Sequence, residues 1–284
     1  EFLKSEDPGL QTETVRTLRE LESDFAREKL LRLANDEATD ANLRAEALIG
    51  LDSSFAKNIE PLLKLAQVKN PIVSKEALRT LSGATLTEVQ RTRLQQLAAA
   101  DADKAAAVER IFTRQLNEKR PTRDQLAAWM QTLAGPADSQ AGQRLFFHPK
   151  GPGCFRCHQI DGRGQQVGPG LIRSNGRIAL NRERLVEAII NPSKDIDPGF
   201  LPLTIVTIDG KSASGIYHKH NNKERSIYNS KGNVISFKIS EIEEMLPSKT
   251  SIMPNGLADQ MTLQEFRNLI AYLLPEAGSN RSSD

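Results

Sequence analysis

Five consecutive residues, Cys154-Phe155-Arg156-Cys157-His158, have the types and spacing for one particular chemistry. Two thiols about one turn apart can each form a thioether with a haem vinyl, and the imidazole that follows can ligate iron. C-x-x-C-H is therefore a signature of c-type haem attachment. A redox dithiol and half of a zinc site are the alternatives. Zinc needs a second ligand pair, but the chain has no third cysteine and only His148, His218 and His220 besides His158. A thioredoxin-like dithiol needs a βαβ context that the flanking sequence lacks. The motif thus predicts Cys154 and Cys157 as covalent anchors of one haem c and His158 as an iron ligand.

The elements that must position the motif lie on both sides of it. Upstream, Gly142 and Phe146 stand one helical turn apart. Downstream, Thr262 and Glu265 read as a capping box, Phe266, Leu269, Ile270 and Leu273 form one apolar face, and Pro275 stops the helix. Gly162-Arg163-Gly164 and Gly168-Pro169-Gly170-Leu171 read as loop, and a helix follows from Asn181 through Leu185 and Ile189 to Asn191-Pro192. The period then switches to that of strands over 203–208, 214–218, 226–229 and 234–239. Asp209-Gly210, Asn221-Asn222 and Lys231-Gly232 separate them, which implies a small antiparallel sheet or barrel within 203–246. Such an insert is expected to be dispensable for haem attachment, since loop length costs only about 0.6 kcal/mol per doubling. Beyond it, Pro254 restricts Met253 to extended conformations and Gly256 lets the chain turn away.

Residues 1–134 read as helical and repetitive. The stretch 43–51 aligns without a gap on 73–81, and the thirty-residue step also relates Leu18 and Leu21 to the first copy and Ala107, Val108 and Ile111 to the second. Second helices lie between the copies, around Leu30 to Leu33, Leu62 to Leu65, and Leu94 and Leu97. One helix pair cannot bury its own apolar stripe, so about three or more must stack as an α-solenoid. The charges of this stretch are expected on solvated faces, as i, i+3 and i, i+4 neighbours. A further helix is expected from 121–124 through Trp129, a core residue, and Gly135-Pro136 marks the boundary.

The composition excludes several classes. With 38 Lys and Arg against 36 Asp and Glu, no charge excess points to nucleic acid or an anionic membrane, and no apolar run reaches membrane-span length. The chain opens without an initiator Met or a signal-peptide pattern, so it reads as an excised or processed piece, with Glu1-Phe2 a candidate cloning scar.

From Ala141 onward the sequence resembles a class I cytochrome c over some 130 residues, and 1–134 resembles HEAT repeats. Gly142 and Phe146 match the first cytochrome helix, whose glycine permits close crossing with the last helix, here matched by 269–273. The resemblance implies that the Pro169 carbonyl orients His158 and that Met253 is the distal iron ligand. The strand insert departs from an ordinary small cytochrome. Taken together, 154–158, Gly168-Pro169, 191–194, the insert opened by Asp209-Gly210, 251–257 and 271–273 resemble the haem-binding domain of the Pirellula/Verrucomicrobium type, found in planctomycetes and their relatives. That family commonly carries the domain at the end of large secreted proteins, after a predicted dehydrogenase propeller and helical repeats. The resemblance therefore implies a redox partner protein or dehydrogenase domain and a periplasmic or otherwise exported location.

The expected fold is mainly α: a HEAT-like solenoid at 1–134, a cytochrome domain at 135–276 with the β insert at 203–246, and a flexible tail at 277–284. The expected function is electron transfer with no catalytic residue of its own, through haem c held by Cys154, Cys157, His158, Pro169 and Met253, with His158 and Met253 on the iron. A haem-based sensor would need an open or easily vacated distal site. A peroxidase would need a distal acid–base histidine or a second haem motif, and neither is visible. His218 and His220 are expected to share a strand face, a weak metal pair without a third ligand. His148 and Met261 are rival axial ligands, although Met261 also fits a staple against Phe266, and Met245 reads as packing.

Overall fold

The computed structural model describes residues 2–21, 23–113, 118–171 and 181–274. The expected tail at 277–284 and the helix stop at Pro275 lie outside the described residues. Two compact units form. The first comprises Glu1–Lys119, Ala137–Pro152 and Asp259–Tyr272, and the second Arg120–Pro136, Gly153–Ala258 and Leu273–Asp284. This division does not follow the expected boundary after residue 134.

The first unit begins with helices α1 Pro8–Glu20, α2 Asp24–Asn35, α3 Ala41–Ile49, α4 Ala56–Ala66, α5 Pro71–Thr80, α6 Glu88–Ala100 and α7 Ala102–Thr113. Side-chain acceptors on Asp7, Ser23, Asp40, Asn70 and Thr87 cap the orphan N–H groups that open α1, α2, α3, α5 and α6. The thirty-residue period is a packing period: α1, α3, α5 and α7 neighbour one another in that order, each with a second helix beside it. Equivalent positions fill the core, with Leu48, Leu78 and Val108 buried, as are Leu51, Leu81 and Ile111.

Two later helices complete this unit, α9 Ser139–Phe146 and α11 Leu263–Leu273. Both halves of the α11 capping box form, with Thr262 N–H donating to Glu265 Oε2 at 2.7 Å and Glu265 N–H to Thr262 Oγ1 at 3.1 Å. The helices cross at Gly142, where a Cβ would stand 1.9 Å from the Asn268 backbone oxygen and 2.8 Å from Tyr272 Cβ. Only glycine allows so close an approach.

The charges of the repeats are not all solvated, contrary to expectation. Arg16, Glu46 and Glu76 occupy one repeat position at thirty-residue steps and all are buried. Glu46 accepts from Arg16 at 3.3 Å and Arg19 at 2.8 Å. Glu76 accepts from Arg79 at 2.8 Å and from Arg144 of α9 at 3.1 Å. Glu265 of α11 accepts from Arg79 at 2.9 Å and Arg110 at 2.7 Å. Buried charge persists when it is paired in this way, and the pairing links α9 and α11 to α5 and α7.

In the second unit, α8 Leu126–Thr132 packs against α10 Arg182–Ile190, and Asn181 caps α10 by accepting from Arg184 N–H at 2.9 Å. Helix α8 starts later than expected because Thr122 and Gln125 first close a turn on each other. Trp129 is buried, and its Nε1–H donates to Thr122 O at 3.0 Å.

A two-residue hairpin, β1 Gln159–Ile160 with β2 Arg163–Gly164, follows the cysteine motif. The insert is a five-stranded antiparallel sheet of β3 Leu203–Thr207, β4 Ser212–His220, β5 Glu224–Tyr228, β6 Val234–Lys238 and β7 Ile242–Pro247, in the order β6-β5-β4-β3-β7. The four expected strands are present, and the fifth, β7, was not expected. The turn at Ile239–Glu241 is bonded to both Lys223 and Ile208, which rolls one end of the sheet on itself. Ile205, Ile216 and Ile227 are its buried apolar residues.

Candidate functional site

The segment 153–171 folds around its own carbonyls. Gly153, in the left-handed region, leads into a single 3-10 turn at Cys154–Arg156, and Cys154 O accepts from Cys157 N–H at 3.2 Å and His158 N–H at 2.9 Å. This turn sets the two thiols and the imidazole in sequence. The β1–β2 hairpin, whose Asp161 and Gly162 both have positive φ, then reverses the chain. On its return Val167 N–H donates to Cys157 O at 3.0 Å and Gly168 N–H donates to the same oxygen at 2.7 Å. The return strand thereby brings Pro169 over the histidine.

His158 Nδ1 lies 2.9 Å from Pro169 O. A carbonyl can only accept, so Nδ1 carries the proton and Nε2 is left as the ring's lone-pair donor. Burial lowers the pKa of His158, and the hydrogen bond to Pro169 opposes it without cancelling it, so the ring is neutral at pH 7. Gly168 lies against the same ring: a Cβ there would stand 2.7 Å from Cε1 and 3.1 Å from Nδ1.

Cys154 and Cys157 are free thiols, both half-buried. Burial pushes the Cys154 thiol up to about 12, and burial raises Cys157 as well, against the opposing charge of Arg156. Reactive dithiols have depressed pKa values, so this pair lacks the signature of an exchange catalyst.

No family model matches the chain, and no curated protein matches it.

Met253 sits half-buried in a loop where its N–H donates to Ser251 Oγ at 3.1 Å, and Ser251 N–H donates in turn to Ser193 Oγ at 3.1 Å. These bonds tie its loop to the chain after α10. Gly256 has φ +80°, the turn-away conformation expected of it. Cys154, Cys157, His158 and Pro169 are thus gathered by direct hydrogen bonds, whereas Met253 is held by a separate set.

The rival residues have other partners. His148 is buried, its Nδ1 accepts from Lys150 N–H at 3.0 Å, and its Nε2 lies 3.3 Å from Thr80 Oγ1. Met261 is fully buried. Met245 pairs with Ile205 in the sheet. The ring of exposed His218 packs on Tyr228 at 4.2 Å, and the pairing of β4 with β5 shifts register between Tyr217 and Lys219. Among the described residues no three or more His, Cys, Asp or Glu side chains form a group that could hold a metal ion. Among them, too, no helix is long and apolar enough to cross a membrane.

Sequence reasoning missed Gly168 as the residue that admits the imidazole. A glycine directly before the proline of the loop was the available signal.

Proposed function

We propose that the chain binds one haem c and works in electron transfer, as a class I-like cytochrome domain of the Pirellula/Verrucomicrobium type accompanied by HEAT-like repeats. The observation that carries this reading is the 2.9 Å bond from His158 Nδ1–H to Pro169 O within a C-x-x-C-H segment. The residues fit the group: two free thiols three positions apart, a neutral imidazole with its proton fixed on Nδ1, and a glycine that leaves room for the ring. When bound, haem supplies reversible one-electron chemistry.

In this reading Cys154 and Cys157 anchor the group covalently, His158 offers Nε2 to iron, and Pro169 prevents the ring from rotating. Met253 would offer its thioether sulfur as a further iron ligand, a donor that would favour the ferrous state. The chain itself is then no enzyme, and its electrons come from a partner protein or an attached dehydrogenase domain. Covalent attachment implies a periplasmic or otherwise exported location.

Expression in a bacterial periplasm with the haem-attachment machinery tests the reading. Haem should remain on the chain after denaturation, and reduced spectra should be unchanged by CO. Loss of all haem on denaturation would overturn covalent attachment. Ready CO binding would favour a sensor instead.

A further inference from the structure

The turn joining β5 to β6 touches the cysteine motif. This turn, residues 229–233, is closed by Gly232 N–H donating to Asn229 O at 2.9 Å and by Asn229 Oδ1 accepting from Lys231 N–H at 2.9 Å and Asn233 N–H at 3.0 Å. Gly232 has φ +79°, and a Cβ on it would stand 2.8 Å from Arg156 O and 3.8 Å from Val167 Cγ2. Arg156 directly precedes the anchor Cys157, and its carbonyl belongs to the peptide that carries Cys157. The far side of Cys157 is gripped as well, because its own carbonyl accepts from Val167 and Gly168. Val167 is buried between the turn and the motif.

We propose that Gly232 is a positioning residue: the β5–β6 turn of the insert seats on the Arg156 carbonyl and fixes the direction in which Cys157 and His158 are presented. The insert is then a wall of the attachment site, and the expectation that it is dispensable does not hold. The haem arm of the test rests on the proposed function; the contact itself does not.

Gly210 provides the control. It closes the β3–β4 turn of the same sheet with φ +80°, and nothing lies within 4 Å of a Cβ built on it. Gly210→Ala and Gly232→Ala therefore bear the same backbone strain and differ in the contact with Arg156. In haem-free protein, alkylation of Cys157 by iodoacetamide, followed by mass spectrometry, should be about tenfold faster in Gly232→Ala and within about twofold of the parent in Gly210→Ala. In haem-loaded protein, Gly232→Ala should lower the fraction of chains carrying haem and shift the midpoint potential, and Gly210→Ala should do neither. Equal behaviour of the two variants in the alkylation assay overturns the proposal. If the parent takes up no haem but the alkylation rates still differ, the haem reading fails and this inference stands.

Should Gly232→Ala not fold, hydrogen exchange of the parent decides. The Gly232 and Asn233 amides and those of Val167 and Gly168 should open together, with equal protection. Turn amides that exchange while the motif amides stay protected would show that the turn holds nothing.

Discussion

His158 donates from Nδ1 to the Pro169 carbonyl at 2.9 Å across eleven residues of chain, and the ring occupies the space that the missing side chain of Gly168 leaves. Gly168→Ala places a methyl 2.7 Å from Cε1, so the ring must turn and the bond to Pro169 must break. Overpacking of this kind costs about 1–3 kcal/mol. We expect a loss of that size in urea unfolding of haem-free protein, a changed tautomer ratio in the nitrogen spectrum of His158, and poor haem incorporation. An unchanged tautomer ratio would show that the bond does not depend on the glycine.

Met253 and Met261 separate cleanly by burial. Met253 is half-buried in a loop, while Met261 is fully buried beside the start of α11. Met253→Ala should abolish the charge-transfer absorption of methionine-bound ferric haem, lower the potential and open the iron to CO and cyanide. Met261→Leu, a swap of similar volume, should leave all three unchanged and cost less than about 1.5 kcal/mol of stability. Survival of the absorption in Met253→Ala would refute the assignment.

Much of this was legible because it is local or periodic. The C-x-x-C-H turn, the Thr262–Glu265 capping box, the Asn181 cap and the thirty-residue step each depend on neighbours a few residues away or on one repeated spacing. The misses have long-range causes. Charges at 16, 46 and 76 read as solvated because partners distant in sequence bury them: Glu46 pairs with Arg16 and Arg19 of α1, and Glu76 with Arg144 of α9, which only tertiary packing brings in. Strand β7 was missed because Glu243, Glu244 and Pro247 depress strand character, yet at a sheet edge such residues are tolerated. The contact of Gly232 with Arg156 leaves no trace in either local pattern.

The crossing of α9 and α11 predicts a second steric effect, this time against backbone. Gly142→Ala puts a methyl 1.9 Å from the Asn268 oxygen and 2.5 Å from its carbonyl carbon, neither of which can swing aside as a side chain would. The helices must separate, and Asp138 N–H, which donates to Asn268 Oδ1 at 2.9 Å, loses its acceptor with them. A destabilisation of about 3 kcal/mol or more is expected from urea midpoints of the full chain. A cost below about 1 kcal/mol would mean that the crossing is loose.

Breaking the ionic pairing should be as costly. Glu76→Gln leaves Arg79 and Arg144 without one of their carboxylate partners in a buried setting, for which about 3–5 kcal/mol is typical. The exposed pair Lys211–Asp209 is the comparison: Asp209→Asn should cost little in the same measurement. Equal, small effects of the two substitutions would show that the buried pairing contributes no more than a surface pair.

The same network sets the response to acid, and the sign follows from two groups. Glu265 is buried, which by itself would raise its pKa, but Arg110 and Arg79 outweigh burial and hold it at about 2, below its ordinary 4.5. Its stabilisation is present above pH 4.5 and is lost as pH falls from there toward 2. His148 is held well below its ordinary 6.5, first by burial and then by Arg79, Arg19, Arg110 and Lys150, so it is neutral and its 3.6 Å approach to Glu76 is not an ion pair. The unfolded chain protonates this histidine below pH 6.5 while the folded chain does not, so stability starts to fall there, by at most about 1.4 kcal/mol per pH unit for one group. Urea unfolding of haem-free protein from pH 8 to 3 should therefore show a loss beginning near 6.5 and steepening below 4.5. His148→Gln should remove the contribution that begins near 6.5 and Glu265→Gln the one that begins near 4.5, each from a lower plateau of stability at pH 8. If the parent is as stable at pH 5 as at pH 8 and His148→Gln leaves the curve unaltered, burial does not depress this histidine; a parent more stable at pH 5 than at pH 8 would mean that the histidine is protonated in the folded chain and does pair with Glu76.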